Sequence, residues 1–271
     1  MPRALPFALG LVTGVLLIRE RQSRQGAERV AAASLESLLN AIDANDPQTG
    51  AHLRRVAEYA LILADALGLD QRTRRTIERV ALFHDIGKID AALFDIVHDS
   101  SRLTPVERQA IARHPTLGAE VLSPLAAFYP ELAEGVRSHH ERWDGSGYPR
   151  HLARTDIPLA ARVVALVDTF DAMTHGRRYR SAQGISTTLD AIRRGRGTQF
   201  DPAIVDTFLE PAVVDRLLRS LRSHPPRHRR HPGPERRSGE MEQGAPDVTF
   251  RWRSGTVVPP APDPSPRTTR G

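Results

Sequence analysis

The sequence predicts an all-α fold, and two observations support that prediction. From residue 51 to about 220 the chain is a series of helical stretches that proline or glycine separates, for example at Gly68 and Pro105. Sustained alternation of apolar and polar residues, which a half-buried strand requires, is hard to find. The run VVALV at 163–167 has the composition of a strand. It lies inside a longer apolar stretch, 159–173, whose length favours a buried helix.

Composition excludes several classes of protein. The 271 residues include no cysteine, which excludes a disulfide scaffold, a zinc finger, an iron–sulfur protein and a cysteine nucleophile. Any metal site must therefore use His, Asp and Glu. The net charge of +6 comes from the ends, because residues 1–24 carry four Arg against one Glu and residues 222–271 carry ten Arg against five acids. We therefore expect no nucleic-acid partner for the domain between them.

The N-terminal segment, residues 1–25, contains a short apolar run at 4–18, ALPFALGLVTGVLLI. Fifteen helical residues span about 22 Å, which is less than the ~30 Å hydrocarbon core of a bilayer. Three interpretations stay open: a short membrane anchor, the end of a longer membrane region lost to a wrong start site, or a buried helix. In the first two, Arg19 and Arg21 would place the rest of the chain in the cytoplasm, tethered to the inner face of the bacterial membrane.

Residues 26–45 are predicted to form a linker helix. Its apolar stripe is predicted to contain Val30, Ala33, Leu38 and Ile42. The sequence Asn-Asp-Pro at 45–47 then ends the helix. Such a helix, together with the N-terminal segment, is a candidate surface for a homodimer.

The C-terminal residues 222–271 have a different character from the rest. They hold ten of the 21 prolines and few apolar clusters. Such a segment cannot bury enough apolar surface to offset the entropy of ordering, so we predict a disordered tail. The folded domain is then bounded at 46–221.

Histidine and aspartate recur on the apolar faces of successive predicted helices. His52, for example, precedes Val56 and Ala60 at helical spacing, and His114 is predicted in the last turn of a helix that begins near Thr104. The candidates are His52, His84, Asp85, His114, His139, His140 and Asp168. Seven such groups would need many separate partners in a dry core, whereas a metal centre satisfies them together.

The number and type of these groups indicate the kind of metal centre. Seven ligands exceed the need of one tetrahedral ion, and they suit two divalent ions that share a bridging ligand. Imidazole with carboxylate suits Fe, Mn, Zn, Co or Ni better than Ca or Mg. Pairs of ions of this kind commonly activate a hydroxide for phosphoester hydrolysis.

Lys88 is unusual because it is the one lysine beside 37 arginines. A single exception suggests a position that needs a compact ammonium rather than a guanidinium fork. Lys88 follows Asp85 by three residues, about one helical turn. We therefore expect it beside that carboxylate, where it would meet a phosphate oxygen.

A loop rich in glycine follows the histidine pair. Its shaping residues are Asp144, Gly145, Gly147, Tyr148 and Pro149. Because the loop comes directly after His139 and His140, it must lie at the rim of the site. The aromatic rings of Trp143 and Tyr148 either stack on a base or pack the loop down, and the sequence leaves both open. The loop is also a candidate docking site for a signalling protein.

Together these residues resemble the HD-GYP family, a branch of the HD-domain metal-dependent phosphohydrolases. The resemblance spans about 46–210. The matching motifs are His84-Asp85-Ile86-Gly87-Lys88, HHERWDGSGYP at 139–149, Asp168 to Met173, Arg177-Arg178-Tyr179-Arg180 and Phe200-Asp201-Pro202. The family resemblance implies an all-α bundle around a binuclear metal centre.

The resemblance also implies an activity and a set of roles. It implies hydrolysis of cyclic di-GMP to pGpG or GMP by a metal-bridging hydroxide, with Fe or Mn as the metals. His52, His84 and Asp168 would hold one metal, His114, His139 and His140 the other, and Asp85 would bridge them. Lys88 would contact the scissile phosphate, and Arg177, Arg180 and Tyr148 would bind the substrate.

The sequence departs from the family pattern at two places, and two alternative functions stay open. Members that bind a third metal carry an acid where this chain has Gln48, so we predict two metals. The family's Lys-Pro-Gly turn is replaced here by His98-Asp99-Ser100-Ser101. The alternatives are a sensor or adaptor that binds cyclic di-GMP with weak or no turnover, and a phosphohydrolase for another cyclic dinucleotide or nucleotide.

Overall fold

The computed structural model describes residues 5–89, 104–175 and 182–224, with the backbone alone for 5–18 and 105. These ranges belong to the compact unit Met1–His228, and the second unit, Arg229–Gly271, lies outside them. Within them the protein consists of ten α-helices and short 3₁₀ turns, without a β-strand. The helices are α1 (Leu5–Asn45), α2 (Pro47–Ala66), α3 (Gln71–Phe83), α4 (Pro105–Ile111), α5 (His114–Leu122), α6 (Leu132–Ser138), α7 (Leu159–Thr174), α8 (Ile185–Arg194), α9 (Pro202–Phe208) and α10 (Pro211–Ser223). The all-α prediction is confirmed.

Several predictions concern residues outside the described ranges. They include Arg177 and Arg180, the turn at 98–101 and the tail from residue 225 onward. Their substrate-binding and disorder assignments stay predictions.

Helix α1 joins two segments that the sequence analysis treats separately. It runs without a break from Leu5 to Asn45, across the expected boundary at 25–26. Among the described residues, no helix is both long enough and apolar enough to cross a membrane.

The predicted stripe of α1 is wrong at two positions. Val30 is 67% exposed and Ala33 is exposed, whereas Ala31, Leu35 and Ile42 are buried. Spacings of four and seven residues place these three on one line of a 3.6-residue helix. Val30 and Ala33 lie about 120° and about 180° around the helix from that line.

Proline residues mark helix starts more often than helix ends. Asp46 caps α2 by accepting a hydrogen bond from Gln48 N at 2.9 Å, and Pro47 is in the first turn. The same rule corrects the prediction for His114. Helix α4 ends at Ile111, and His114 begins α5, with Pro115 in its first turn, where a missing N–H costs nothing.

The core lies between α2, α3 and α7, with α9 and α10 packed against it. Tyr59, Phe170 and Phe208 are fully buried and meet edge to face, with centroid separations of 5.2 and 5.5 Å. The run at 163–167 is helical and lies within α7, as its length predicts. This packing fixes α2, α3 and α7, the three helices that position His52, His84 and Asp168.

Gly87 allows a close contact on which the site depends. A Cβ at this position would lie 2.1 Å from the carbonyl oxygen of His114 and 2.6 Å from Gly118 N. The 3₁₀ turn Ile86–Ile89 therefore packs directly on the backbone of α5.

We expect Gly87→Ala to lower the melting temperature and the divalent-metal content together, because the added methyl forces the turn away from α5. Overpacking of this kind costs about 1–3 kcal/mol. Gly26→Ala is the matched control, since no atom lies within 4 Å of a Cβ there and alanine is the better helix former. Thermal denaturation and metal analysis check both variants, and an unchanged melting temperature in Gly87→Ala would contradict the steric argument.

Candidate metal centre

The structure brings all seven predicted ligands to one place. They come from five parts of the fold: His52 from α2, His84 and Asp85 from the end of α3, His114 from the start of α5, His139 and His140 from the end of α6, and Asp168 from α7. All except His52 and His140 are buried to less than 9% exposure. These residues are far apart in the sequence, and the packing of the helices brings them together.

Backbone carbonyls orient three of the imidazoles. Nδ1 of His84, His114 and His139 lies 2.8, 2.7 and 2.6 Å from the carbonyl oxygen three residues earlier in each case. A carbonyl only accepts, so Nδ1 carries the hydrogen in each ring and Nε2 presents its lone pair. The three Nε2 atoms therefore face the interior of the site as potential metal ligands.

Asp85 lies between two groups of histidines. Its Oδ1 is 3.2 Å from His114 Nε2 and 4.0 Å from His139 Nε2, whereas its Oδ2 is 3.6 Å from His84 Nε2. His114, His139 and His140 form one set of donors close enough to share an ion, and His52, His84 and Asp85 form another. Asp168 Oδ1 joins the second set, 3.3 Å from His52 Nε2. One carboxylate thus presents an oxygen to each set.

The donor atoms are arranged as a metal centre requires. Buried Nε2 atoms of His52 and His84 have no hydrogen-bond partner. Nε2 of His114 and His139 are 3.1 Å apart, and both present lone pairs. Unpartnered donors that converge in a buried site are costly unless a cation binds them. The residues therefore fit divalent metal ions.

Burial and charge set the protonation of these groups. Burial lowers the pKa of His84, of His139 and of His140, the last to about 3, so all three are neutral. Burial opposes the ionisation of Asp85, but the Lys88 ammonium and the neighbouring histidines hold its pKa well below the usual value. Burial would lower the pKa of His52, but the nearby Asp168 carboxylate and the contact of Nδ1 with Asp171 raise it to about 9.

Lys88 is beside Asp85, as its position in the sequence predicts. Its Nζ donates to Asp85 Oδ2 at 2.6 Å, and the side chain is 20% exposed. The ammonium therefore contacts the carboxylate, and the side chain stays partly accessible to solvent.

The loop after His140 is held by its own side chains. Asp144 accepts from Arg142 and from both N and Oγ of Ser146, and these contacts lower its pKa. Buried Glu141 accepts from the backbone N of Arg150 at 2.7 Å and of Leu152 at 3.1 Å. These hydrogen bonds fix the conformation of the loop.

Glycines permit the tight path of this loop. Gly145 has a φ of +79°, which favours glycine. A Cβ on Gly147 would lie 2.4 Å from Arg142 N. Both positions therefore depend on glycine for backbone reasons alone.

The two aromatic rings of the loop pack inward. Tyr148 stacks on His140 with centroids 5.0 Å apart. Trp143 N donates to Gln199 O at 3.2 Å, and the Arg162 guanidinium lies over its ring at 5.9 Å. Both rings thus make packing contacts, and Tyr148 lies against a ligand candidate. Stacking on a base stays a prediction.

Sequence reasoning missed two buried acids. Asp171 is 2% exposed and contacts His52, and Glu141 is 3% exposed and supports the loop. Both lie inside the quoted motifs, and the three-residue spacing of Asp168 and Asp171 indicates one helix face. That spacing was the available signal for Asp171.

Comparison with known proteins decides the family. The HD domain family matches residues 36–204. The chain belongs to the HD domain family. Its resemblance to the HD-GYP branch is confirmed by the curated relatives together with that match.

Two curated relatives and one solved structure show the extent of the likeness. The cyclic di-GMP phosphodiesterase response regulator RpfG of Xanthomonas campestris is 36% identical over 208 residues, 76% of this chain and 52% of that protein. The 3'3'-cGAMP-specific phosphodiesterase 2 of Vibrio cholerae is 34% identical over 175 residues, 64% of this chain and 33% of that protein. The chain therefore spans about half of the first relative and a third of the second.

The solved structure supports the fold. A cyclic GMP-AMP-specific phosphodiesterase of V. cholerae, V-cGAP3, superposes with a TM-score of 0.52 at 21% identity, over 71% of this chain and 52% of that one.

The pKa shifts predict a pH dependence for the metal-free protein. Below pH 6.5 the unfolded chain protonates histidines that the folded chain keeps neutral, namely His84, His139 and His140. The unfolded state then binds more protons than the folded state. As the pH falls, the free energy of unfolding therefore decreases by about 1.4 kcal/mol per pH unit for each extra proton bound. His52 acts in the opposite direction, because its stabilisation is complete below pH 6.5 and is lost as the pH rises through about 9.

We therefore expect the melting temperature of the chelator-treated protein to be highest near pH 6.5. Thermal denaturation between pH 5 and 9 measures it. His140→Gln is the matched control, since it removes one of the three histidines. Below pH 6.5 its melting temperature should fall less steeply with decreasing pH. A melting temperature that rises from pH 6.5 to 5 would contradict the assignment of neutral, buried histidines.

Proposed function

We propose that this chain is a metal-dependent phosphodiesterase that hydrolyses cyclic di-GMP to pGpG or GMP. The observation that supports it is the position of Asp85, which presents one oxygen to each of two histidine sets while Lys88 contacts it. Paired donor sets around a shared carboxylate are typical of two-metal phosphoester hydrolysis.

The residues divide into two proposed metal positions that share Asp85. His52, His84 and Asp168 hold one ion, and His114, His139 and His140 hold the other. Fe and Mn are the proposed metals, since imidazole and carboxylate ligands suit them. When bound, such a pair of cations neutralises phosphate charge and lowers the pKa of a water molecule.

The chain's own groups orient the substrate and stabilise charge. Lys88 holds a compact ammonium against Asp85, and a further hydrogen of this ammonium would donate to a phosphate oxygen. Tyr148 covers one face of His140 and shields it from water. Arg177 and Arg180 are proposed to bind the second phosphate or a guanine edge.

A second candidate substrate is 3'3'-cGAMP, because a curated relative at 34% identity is named for it. The two substrates differ in one base and share the same phosphodiester groups. The metal centre therefore does not distinguish them, and contacts with the bases determine the substrate preference. A panel of cyclic di-GMP, 3'3'-cGAMP and cyclic di-AMP, followed by chromatography on metal-reconstituted protein, separates the candidates. Faster turnover of cyclic di-GMP supports the proposal, and binding without turnover of any of them supports a sensor.

We also propose contacts with other partners. The exposed residues 19–30 of α1 extend beyond the buried stripe and suit a homodimer. The self-supported loop 141–150 offers a fixed surface to a signalling protein. Membrane contact at 4–18, and a cytoplasmic location at the inner membrane face, stay hypotheses.

We expect Asp85→Asn to lose divalent metal and to reduce turnover at least 100-fold, because the amide cannot serve both histidine sets as an anion. Metal analysis and turnover on the same sample measure both effects, and circular dichroism verifies folding. Asp190→Asn is the control, since the described part of the chain pairs that exposed acid with Arg193, one turn away. A folded Asp85→Asn protein with full metal content would refute the shared-ligand role.

We expect Lys88→Arg to keep the metal content and to lower kcat by about 10-fold or more, because a planar guanidinium does not replace a compact ammonium against Asp85. The reverse exchange Arg72→Lys, at a side chain 80% exposed, is the matched control and should leave kcat unchanged. Full activity in Lys88→Arg would show that any cation suffices at this position.

A further inference from the structure

A second carboxylate lies next to the proposed ligands. Asp171, on α7, is 2% exposed, and both of its oxygens accept hydrogen bonds. His52 Nδ1 is 2.6 Å from Oδ2, and Arg55 Nε and Nη2 are 2.7 Å from Oδ1 and 2.9 Å from Oδ2. His175 Nδ1 is 3.0 Å from Oδ1. Asp171 therefore connects one proposed ligand to two residues outside the ligand set.

His52 differs from the other oriented histidines in what holds its ring. His84, His114 and His139 each use a neutral backbone carbonyl three residues earlier. His52 uses an anionic carboxylate on a different helix, 119 positions later in the chain. A carboxylate on Nδ1–H fixes the tautomer, orients the ring and makes Nε2 a stronger ligand. The orientation of His52 thus depends on the contact between α2 and α7.

Arg55 and His175 keep the Asp171 carboxylate in place. Arg55 lies one turn after His52 on α2 and binds both oxygens as a fork. His175 follows α7, and its Nε2 is 2.8 Å from the carbonyl oxygen of His224, the residue after α10. The support of His52 therefore extends from α2 through α7 to the end of α10.

We propose that Asp171 is the positioning residue for His52, and that His175, held by the carbonyl of His224, braces Asp171 for that role. The inference rests on the proposed metal centre. It predicts that one of the two metal positions, the one with His52, His84 and Asp168, depends on Asp171, while the position with His114, His139 and His140 does not.

The test uses the full chain with Asp171→Asn, a change that preserves size and removes the charge. Each protein is equilibrated with Mn²⁺ against a chelator of known affinity, and bound metal per chain is measured. Unaltered protein should bind two ions. Asp171→Asn should bind one ion with unchanged affinity and the other about 10–100-fold more weakly, the usual effect of losing a partner of a ligating histidine.

A spectroscopic comparison identifies which position is weakened. Each protein is loaded with Co²⁺, whose visible spectrum reports its ligands. The variant His139→Ala should lose the signal of the ion at the His114 position and retain that of the ion at the His52 position. Asp171→Asn should lose or shift the signal that His139→Ala retains, because the two substitutions act on different ions. Asp190→Asn is the matched loss of an exposed carboxylate and should leave both the affinities and the spectrum unchanged.

The outcomes separate this inference from the proposal beneath it. Two unchanged sites in Asp171→Asn, or equal weakening of both together with a lower melting temperature, would overturn the positioning role. No metal binding by the unaltered protein would instead remove the metal centre itself. If Asp171→Asn does not fold, His175→Gln replaces it, because glutamine can reach only one of the two acceptors. A few-fold weakening confined to the same ion supports the proposal, and no change overturns it.

Discussion

The central constraint on this protein is the burial of imidazole nitrogens that have no hydrogen-bond partner. A dry core disfavours such groups, and this one contains two of them, Nε2 of His52 and of His84. Two carboxylates, Asp85 and Asp168, are buried beside them. Apolar packing alone does not explain this concentration of donors, whereas bound cations would satisfy them at once.

The helix ends provide the framework for this arrangement. The last carbonyls of an α-helix have no intrahelical partner. His84 and His139 each directly follow a helix and use a carbonyl of its last turn, and His114 uses that of Ile111, the final residue of α4. The hydrogen bond from Nδ1–H thus gives a carbonyl at the helix terminus a partner, and it also fixes the imidazole tautomer. It also explains why these three histidines lie at helix ends, whereas His52 and Asp168 lie within α2 and α7.

The sequence allowed the helical class, the helix break at 45–47, the helix within 159–173 and the residues that converge at the site to be predicted, because apolar periodicity, proline positions and the residue motifs are local signals. It did not allow the register of α1 or the start of α5 to be predicted correctly. Val30 is apolar but exposed, since burial depends on which side of α1 meets α2. Asp171 was missed as a support because its partners, His52 and Arg55, are more than 100 positions away.

The two sides of the site are stabilised by different physical means. On the His114 side, orientation is local: backbone carbonyls hold the rings, and the loop that covers His140 satisfies its polar groups through Glu141 and Asp144. On the other side, His84 also uses a local carbonyl, but the orientation of His52 depends on ion pairs between helices distant in sequence. Local contacts persist when helices shift slightly, whereas contacts between helices do not. A change in the packing of α2 against α7 would therefore act first on His52 and leave the other side in place.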